Sequence, residues 1–223
     1  MSEQPPAGIL NINKPYGITS MDVVRRVKRA SGFKRVGHGG TLDPVATGVI
    51  PVCIGQATRM MEYMLDGSKK YRTTITLGVT TDTYDSMGEI TETADASHLT
   101  REEVVSALTQ FLGEIQQVPP MYSALKKDGK RLYDLARQGI EVERNPRPVV
   151  VHQIELTEWN PPEATVEVHC GRGFYMRSLA YDLGRALRCG GHLRTLVRLK
   201  ASAFTLNESL TLEEMEDSFA DGA

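Results

Sequence analysis

The chain has 223 residues, 40% of them apolar and 24% charged, with a formal net charge of −2; this composition fits a globular protein of one or two domains and excludes a fibrous, low-complexity or wholly disordered chain. No apolar run approaches the roughly 20 residues that cross a bilayer as a helix, and the start of the chain lacks the basic-then-apolar order of a secretory signal, so no membrane partner and a cytoplasmic location are expected. Cys53, Cys170 and Cys189 form no CxxC pair, which argues against a disulfide framework and fits a reducing compartment.

In chain order, Ile9, Leu10 and Ile12 interleaved with asparagines read as a short strand, closed by the turn Lys14, Pro15, Tyr16, Gly17. Ser20 is expected to cap a helix that carries Val23, Val24 and Val27 on one face and stops at Gly32. Residues 37–48 are too rich in glycine for a helix and too polar for a core strand, so they are expected as a loop feeding a strand over 49–54. Residues 71–77, 89–93, 149–158, 165–170 and 197–206 are rich in β-branched and aromatic residues with alternating polarity and read as strands. Thr100 and Glu103 form a capping box ahead of Val104, Leu108 and Phe111, with Gly113 ending that helix. Residues 175–187 place Leu179, Ala180, Leu183 and Leu187 on one stripe, and Thr211 with Glu214 opens a short acidic last helix. Without strict βαβ alternation the expected class is α+β on a mixed, mainly antiparallel sheet. One domain over 8–206 is expected, with a basic segment inserted at 119–148 and a short acidic tail over 207–223.

Charge is unevenly distributed. Three clusters, over 14–35, 126–147 and 172–200, hold 21 of the 26 lysines and arginines and only six acids. Acidic residues collect over 82–103 and after Lys200. Such asymmetry is the footprint of a phosphate-binding face on a near-neutral protein, although three solvated helix faces would look the same.

The densest chemical signal is Gly37, His38, Gly39, Gly40, Thr41, Leu42, Asp43, Pro44 and on to Gly48. Its glycines permit close approach of a ligand, and Pro44 holds Asp43 extended, a geometry that presents a carboxylate into a cleft. Asp43 is equally an ordinary turn residue on spacing alone. GxGxxG is not matched, so a phosphate loop is poorly supported. His169, Cys170, Cys189 and His192 lack metal-ligand spacing, and no metal is expected. Cys53, in an apolar run, reads as a buried strand thiol.

The run GHGGTLDPVATGVIPVCIGQATR, beginning at Gly37, closely resembles the catalytic segment of the bacterial tRNA pseudouridine-55 synthases, the TruB-type family. NINKPYGITS, KYRTTITLG, TTDTYD, VPPMYSALKKDGKRLYDLARQG, CGRGFYMRSL and GHLRTLVRL resemble its other motifs, in order over about 8–206. The resemblance implies the pseudouridine synthase fold, and an isomerase that flips a T-loop uridine, breaks the bond from ribose to N1 and rejoins the sugar at C5, with no cofactor. It implies Asp43 as the catalytic carboxylate, Arg177 as its ion-pair partner, and Tyr71 on the uracil near C5. It further implies His38 as the residue stacking in the opened loop, Tyr175 and Leu196 as pocket walls, and Arg59 and Asp85 as substrate contacts. Lys14, Lys126, Lys130 and Arg131 are expected to bind RNA, the last three in an insertion that closes over the T-arm. The expected partner is tRNA, without guide RNA, and the chain is expected to act as a monomer. Most family members continue into a small RNA-binding domain of the PUA type, and here the sequence stops after the acidic segment. The competing reading is an RNA chaperone that folds tRNA with chemistry secondary.

Overall fold

A computed structural model describes residues 7–127 and 129–220. In chain order it contains strand β1 (Gly8–Lys14), helix α1 (Ser20–Ser31), β2 (Val36–His38), β3 (Ala46–Ile54), a 3₁₀ turn (Gly55–Met60), α2 (Met61–Asp66) and β4 (Lys69–Leu77). Then follow β5 (Val79–Thr81), β6 (Ile90–Thr93), α3 (Arg101–Thr109), β7 (Gly113–Gln117), β8 (Lys126–Lys127), β9 (Lys130–Arg131) and α4 (Leu132–Ala136). The last part comprises β10 (Arg147–Asn160), β11 (Glu163–Cys170), α5 (Met176–Ala186), β12 (Gly191–Ala201), β13 (Phe204–Thr205) and α6 (Leu212–Ala220). The α+β class with mainly antiparallel pairing stands. The chain forms two compact units, one made of the described residues up to Arg72 and from Leu196 onward, the other of Thr73–Thr195.

In the first unit β3 is the central strand. Its run ATGVIPVCI is buried almost throughout, as befits a strand covered on both faces. β1 pairs with it antiparallel from Gly8↔Ile54 to Lys14↔Gly48. Along its other edge run β2, antiparallel, and the start of this unit's part of β12, parallel, with Leu196↔Ala46 and Arg198↔Gly48 in register. α1 buries Val23, Val24 and Val27, the stripe read from the sequence, and ends on left-handed Gly32. Its cap is Thr19, not Ser20: Thr19 and Asp22 form the capping box, because the Ser20 hydroxyl is engaged with both main-chain polar groups of Leu42. α6 docks on α1 through a two-pronged Arg26 to Glu216 pair at 2.8 and 2.6 Å and buries Leu212 and Met215. The acidic tail is therefore structural.

In the second unit the order is β12-β4-β11-β10-β7. β10 and β11 form a long antiparallel hairpin, and β7 borders β10 from Arg147↔Gln117 to Val151↔Gly113. α3 starts with the expected Thr100 and Glu103 box and buries Val104, Ala107 and Leu108. α5 buries Leu179, Ala180 and Leu183 as the stripe foretold. The expected strand over 197–206 starts earlier, at Gly191, and is broken where Ser202 turns left-handed at φ 56°. The 3₁₀ turn, α2, β7, α4 and the two-residue strands β8 and β9 were not readable, being too short to show a period.

Candidate active site

Asp43 sits in the turn between β2 and β3, half-buried, and almost every peptide around it is tied down within the first unit. Asp43 O accepts from Ala46 N at 3.0 Å, closing the turn, and Pro44 O accepts from Gly17 N at 2.9 Å. The Ser20 hydroxyl accepts from Leu42 N at 2.8 Å and donates to Leu42 O at 2.9 Å. Upstream, Arg198 donates to Gly40 O at 3.1 Å and Thr41 O at 3.3 Å. The peptides on both sides of Asp43 are thus fixed.

Two glycines of this stretch serve α2 rather than a ligand. A Cβ on Gly37 would lie 2.6 Å from Met61 Sδ, and one on Gly39 2.5 Å from Met64 Cβ, so α2 lies directly on the backbone flanking His38. The His38 ring is half-buried, and burial together with the Arg198 charge holds it below its usual pKa. A neutral imidazole is the form that stacks on a base without demanding a counter-ion. Gly40 N donates to its Nδ1 at 3.4 Å.

Lys14, expected as an RNA contact, is fully buried. Its ammonium donates to Pro15 O, Ile18 O and Pro44 O at 2.9, 2.7 and 3.4 Å, and burial pushes its pKa down to about 8 despite the opposing pull of Asp43. A lysine held inside by carbonyls anchors the Asp43 turn and does not present charge to a phosphate, which corrects the sequence reading. Arg198, counted in the third basic cluster, is likewise interior at 1% exposure.

In the second unit Arg177, at the start of α5, is buried, with Nε 3.8 Å from an Asp85 carboxylate oxygen. It also donates to Thr83 O at 3.2 Å and Tyr122 O at 2.6 Å, so it binds the TTDTYD turn to the base of the inserted segment. Asp85, expected as a substrate contact, is 6% exposed and accepts from Thr83 Oγ1 at 2.7 Å and Met87 N at 3.0 Å. Its carboxylate is an internal counter-charge, which corrects that expectation. Tyr175, half-buried, caps α5, and Gln117 engages its main chain.

Tyr71 is half-buried on β4, Leu196 is buried beside Ala46, and Arg59 is exposed at the end of the 3₁₀ turn. Lys130 is exposed in the tight β8 to β9 hairpin, while the side chains of Lys126 and Arg131 lie outside the described residues. Sequence reasoning missed Ser20, Gln117 and Arg198 as holders of site residues. The available signal was weak: a small polar residue, an amide and one more arginine in a cluster.

A family model described as TruB family pseudouridylate synthase (N terminal domain) matches residues 28–176, and one described as tRNA pseudouridylate synthase B C-terminal domain matches 177–222. The fold is thus that of a pseudouridylate synthase. A tRNA pseudouridine synthase B of Dehalococcoides mccartyi is 55% identical over 215 residues, covering 96% of this chain and 72% of that protein. One of Symbiobacterium thermophilum is 54% identical over 211 residues, covering 93% and 71%. The chain belongs to the TruB family. Among solved structures, a Cbf5-Nop10-Gar1 complex aligns at TM-score 0.77 and 30% identity over 97% of this chain, which spans 56% of that chain's length. An archaeal box H/ACA sRNP Nop10-Cbf5 complex aligns at 0.73 and 27%, over 99% of this chain and 57% of that one.

Proposed function

We propose that this chain converts the T-loop uridine at tRNA position 55 to pseudouridine, acting without guide RNA or cofactor, with Asp43 as the catalytic carboxylate. The observation that carries the reading is the Asp43 turn: a half-buried aspartate on a backbone immobilised on either side. The bond from ribose C1′ to uracil N1 breaks, the base turns, C1′ joins C5, and the C5 proton leaves. An ionised carboxylate serves either as a nucleophile on C1′ or as the base that removes a sugar proton, and both routes need a site closed to water. Flipping the uridine out costs a few kcal/mol, and stacking of about 1–3 kcal/mol per base on rings such as His38 offsets it.

Tyr71 takes the role of the ring against the uracil, and its phenol can relay the C5 proton. Arg177 is the cation assigned to Asp43; the buried Asp85 presets its guanidinium. Tyr175, Leu196 and Arg59 line the substrate path, and Lys130, Lys126 and Arg131 meet RNA phosphates in the 119–148 segment. Three buried cysteines fit a reducing cytoplasm, and among the described residues no helix is long and apolar enough to cross a membrane.

The test is conversion of a T-arm hairpin and of full tRNA by wild type and Asp43→Asn. Wild type should form pseudouridine at the T-loop uridine alone, and Asp43→Asn should bind with near-normal affinity and form none. Conversion by Asp43→Asn at the wild-type rate would exclude the mechanism. Refolding of misfolded tRNA that survives in Asp43→Asn would reveal a separate chaperone role.

A further inference from the structure

We propose that Arg198 is a positioning residue for Asp43: a buried guanidinium whose task is to hold the upstream arm of the Asp43 turn against β3. The inference rests on the reading of Asp43 as the catalytic carboxylate.

Arg198 is 1% exposed, and its hydrogen bonds among the described residues go to main-chain carbonyls. Nε donates to Val49 O at 2.6 Å, Nη1 to Thr41 O at 3.3 Å and Nη2 to Gly40 O at 3.1 Å. These carbonyls lie on opposite sides of Asp43 in sequence. One planar fork of donors therefore ties the strand after the turn to the arm before it, a span that a flexible ammonium cannot bridge with the same geometry.

Two glycines lie against Arg198. Gly48 stands opposite Arg198 in the parallel register at φ 99°, and a Cβ there would meet Arg198 main-chain N at 2.9 Å and C at 3.0 Å. Gly40 has φ 136°, with its would-be Cβ 3.5 Å from Nη1. Gly48, which the sequence offered as room for a ligand, makes room for the main chain of Arg198, and Gly40 lies in ordinary contact with its guanidinium.

Burying a cation against carbonyls alone is unfavourable, and an apolar residue of similar volume would fill the space at lower cost. What an apolar side chain cannot do is hold the carbonyls of Gly40 and Thr41. The arm over 39–41 carries two glycines and has the most conformational freedom to lose. Ser20 clamps the next residue, Leu42, from the α1 side. Arg198 and Ser20 thus hold the backbone of the Asp43 turn from two sides.

The experiment compares Arg198→Lys, Ser20→Ala and Asp43→Asn by amide hydrogen exchange, RNA affinity and single-turnover rate. Arg198→Lys should speed exchange of the Leu42 and Ala46 amides by about tenfold or more while β10 and β11 stay protected. Its single-turnover rate should fall about 10- to 100-fold, the scale of a displacement of about 1 Å, with the RNA Kd within about twofold of wild type. Ser20→Ala should show the same pattern more weakly, centred on Leu42. Unchanged exchange in the turn, an unchanged rate, or a rate loss matched by weaker binding would overturn the proposal. If Arg198→Lys fails to fold, Ser20→Ala carries the same readouts. An active Asp43→Asn would sink the catalytic reading alone, since exchange in the turn reports the clamp whatever the chemistry.

Discussion

Gln117 holds Tyr175 by both of its main-chain polar groups: the side-chain oxygen accepts from Tyr175 N at 2.8 Å and the side-chain nitrogen donates to Tyr175 O at 3.1 Å. Gln117 is 2% exposed, so water cannot easily replace it. Gln117→Ala would leave the Tyr175 N–H without its acceptor at the entry to α5, while Tyr175 O keeps its bond from Leu179 N, at a cost of about 1–3 kcal/mol. Urea unfolding should show that loss.

Gly48 and Gly39 should differ as sites for alanine. At Gly48 the new Cβ meets main-chain atoms of Arg198 at a left-handed φ of 99°, and neither strand can retreat without breaking register. Gly48→Ala is expected to cost about 3 kcal/mol or more. At Gly39 the obstacle is Met64 Cβ, 2.5 Å away and fixed to the α2 backbone, so α2 must shift, and without the added strain of a left-handed φ Gly39→Ala should cost about 2 kcal/mol. Melting temperatures of the two variants give the order directly.

Asp85 and Arg177 are a buried pair, and removing one charge strands the other. Asp85→Asn is expected to destabilise by roughly 3 kcal/mol, less than a complete loss of partners because Thr83 O and Tyr122 O still accept from the guanidinium. Equilibrium unfolding measures it.

Burial pushes Asp182 up to about 6, against the pull of Arg185. A carboxyl whose folded pKa is raised binds its proton more tightly when folded. Its burden on stability is therefore fully present above about pH 6 and relieved as pH falls towards the unfolded value near 4. Asp182→Asn should stabilise the protein at pH 8 by of order 1 kcal/mol after solvent screening, and the advantage should vanish at pH 4. Unfolding at the two pH values checks the sign.

Lys28, Arg29, Lys34 and Arg35 are exposed, while Lys14, Arg177 and Arg198 are not. Only the former can release counterions from RNA. Replacing Lys34 and Arg35 by Gln should flatten the plot of log affinity against log salt by about 0.7–0.9 for each phosphate that is no longer neutralised, whereas Arg198→Lys should leave the slope unchanged. Filter binding across a salt series decides.

The contrast among those cations marks what could be read in advance. The α1 and α5 stripes and the Thr100 box follow from local spacing and local sterics, and the structure keeps them. Lys14 and Lys28 carry the same charge in the same basic cluster, and only tertiary packing sends one inside. Likewise Ser20 was a good cap by type, but Leu42, distant in sequence, captured its hydroxyl and left capping to Thr19. The glycines of the 37–48 stretch were legible as close approaches, yet what approaches them comes from α2 and β12, which no local pattern names.

The first unit is assembled from the two ends of the chain, whereas Thr73–Thr195 is continuous. On a ribosome the aspartate emerges early and the arginine that steadies it late, with Leu210 reaching back to Asn11 and Asn13 later still. Closing so distant a contact is slow relative to local folding. A polypeptide that stops short of Arg198 therefore carries the whole 37–48 motif yet lacks one of the clamps on the Asp43 turn, and full activity should require synthesis through β12.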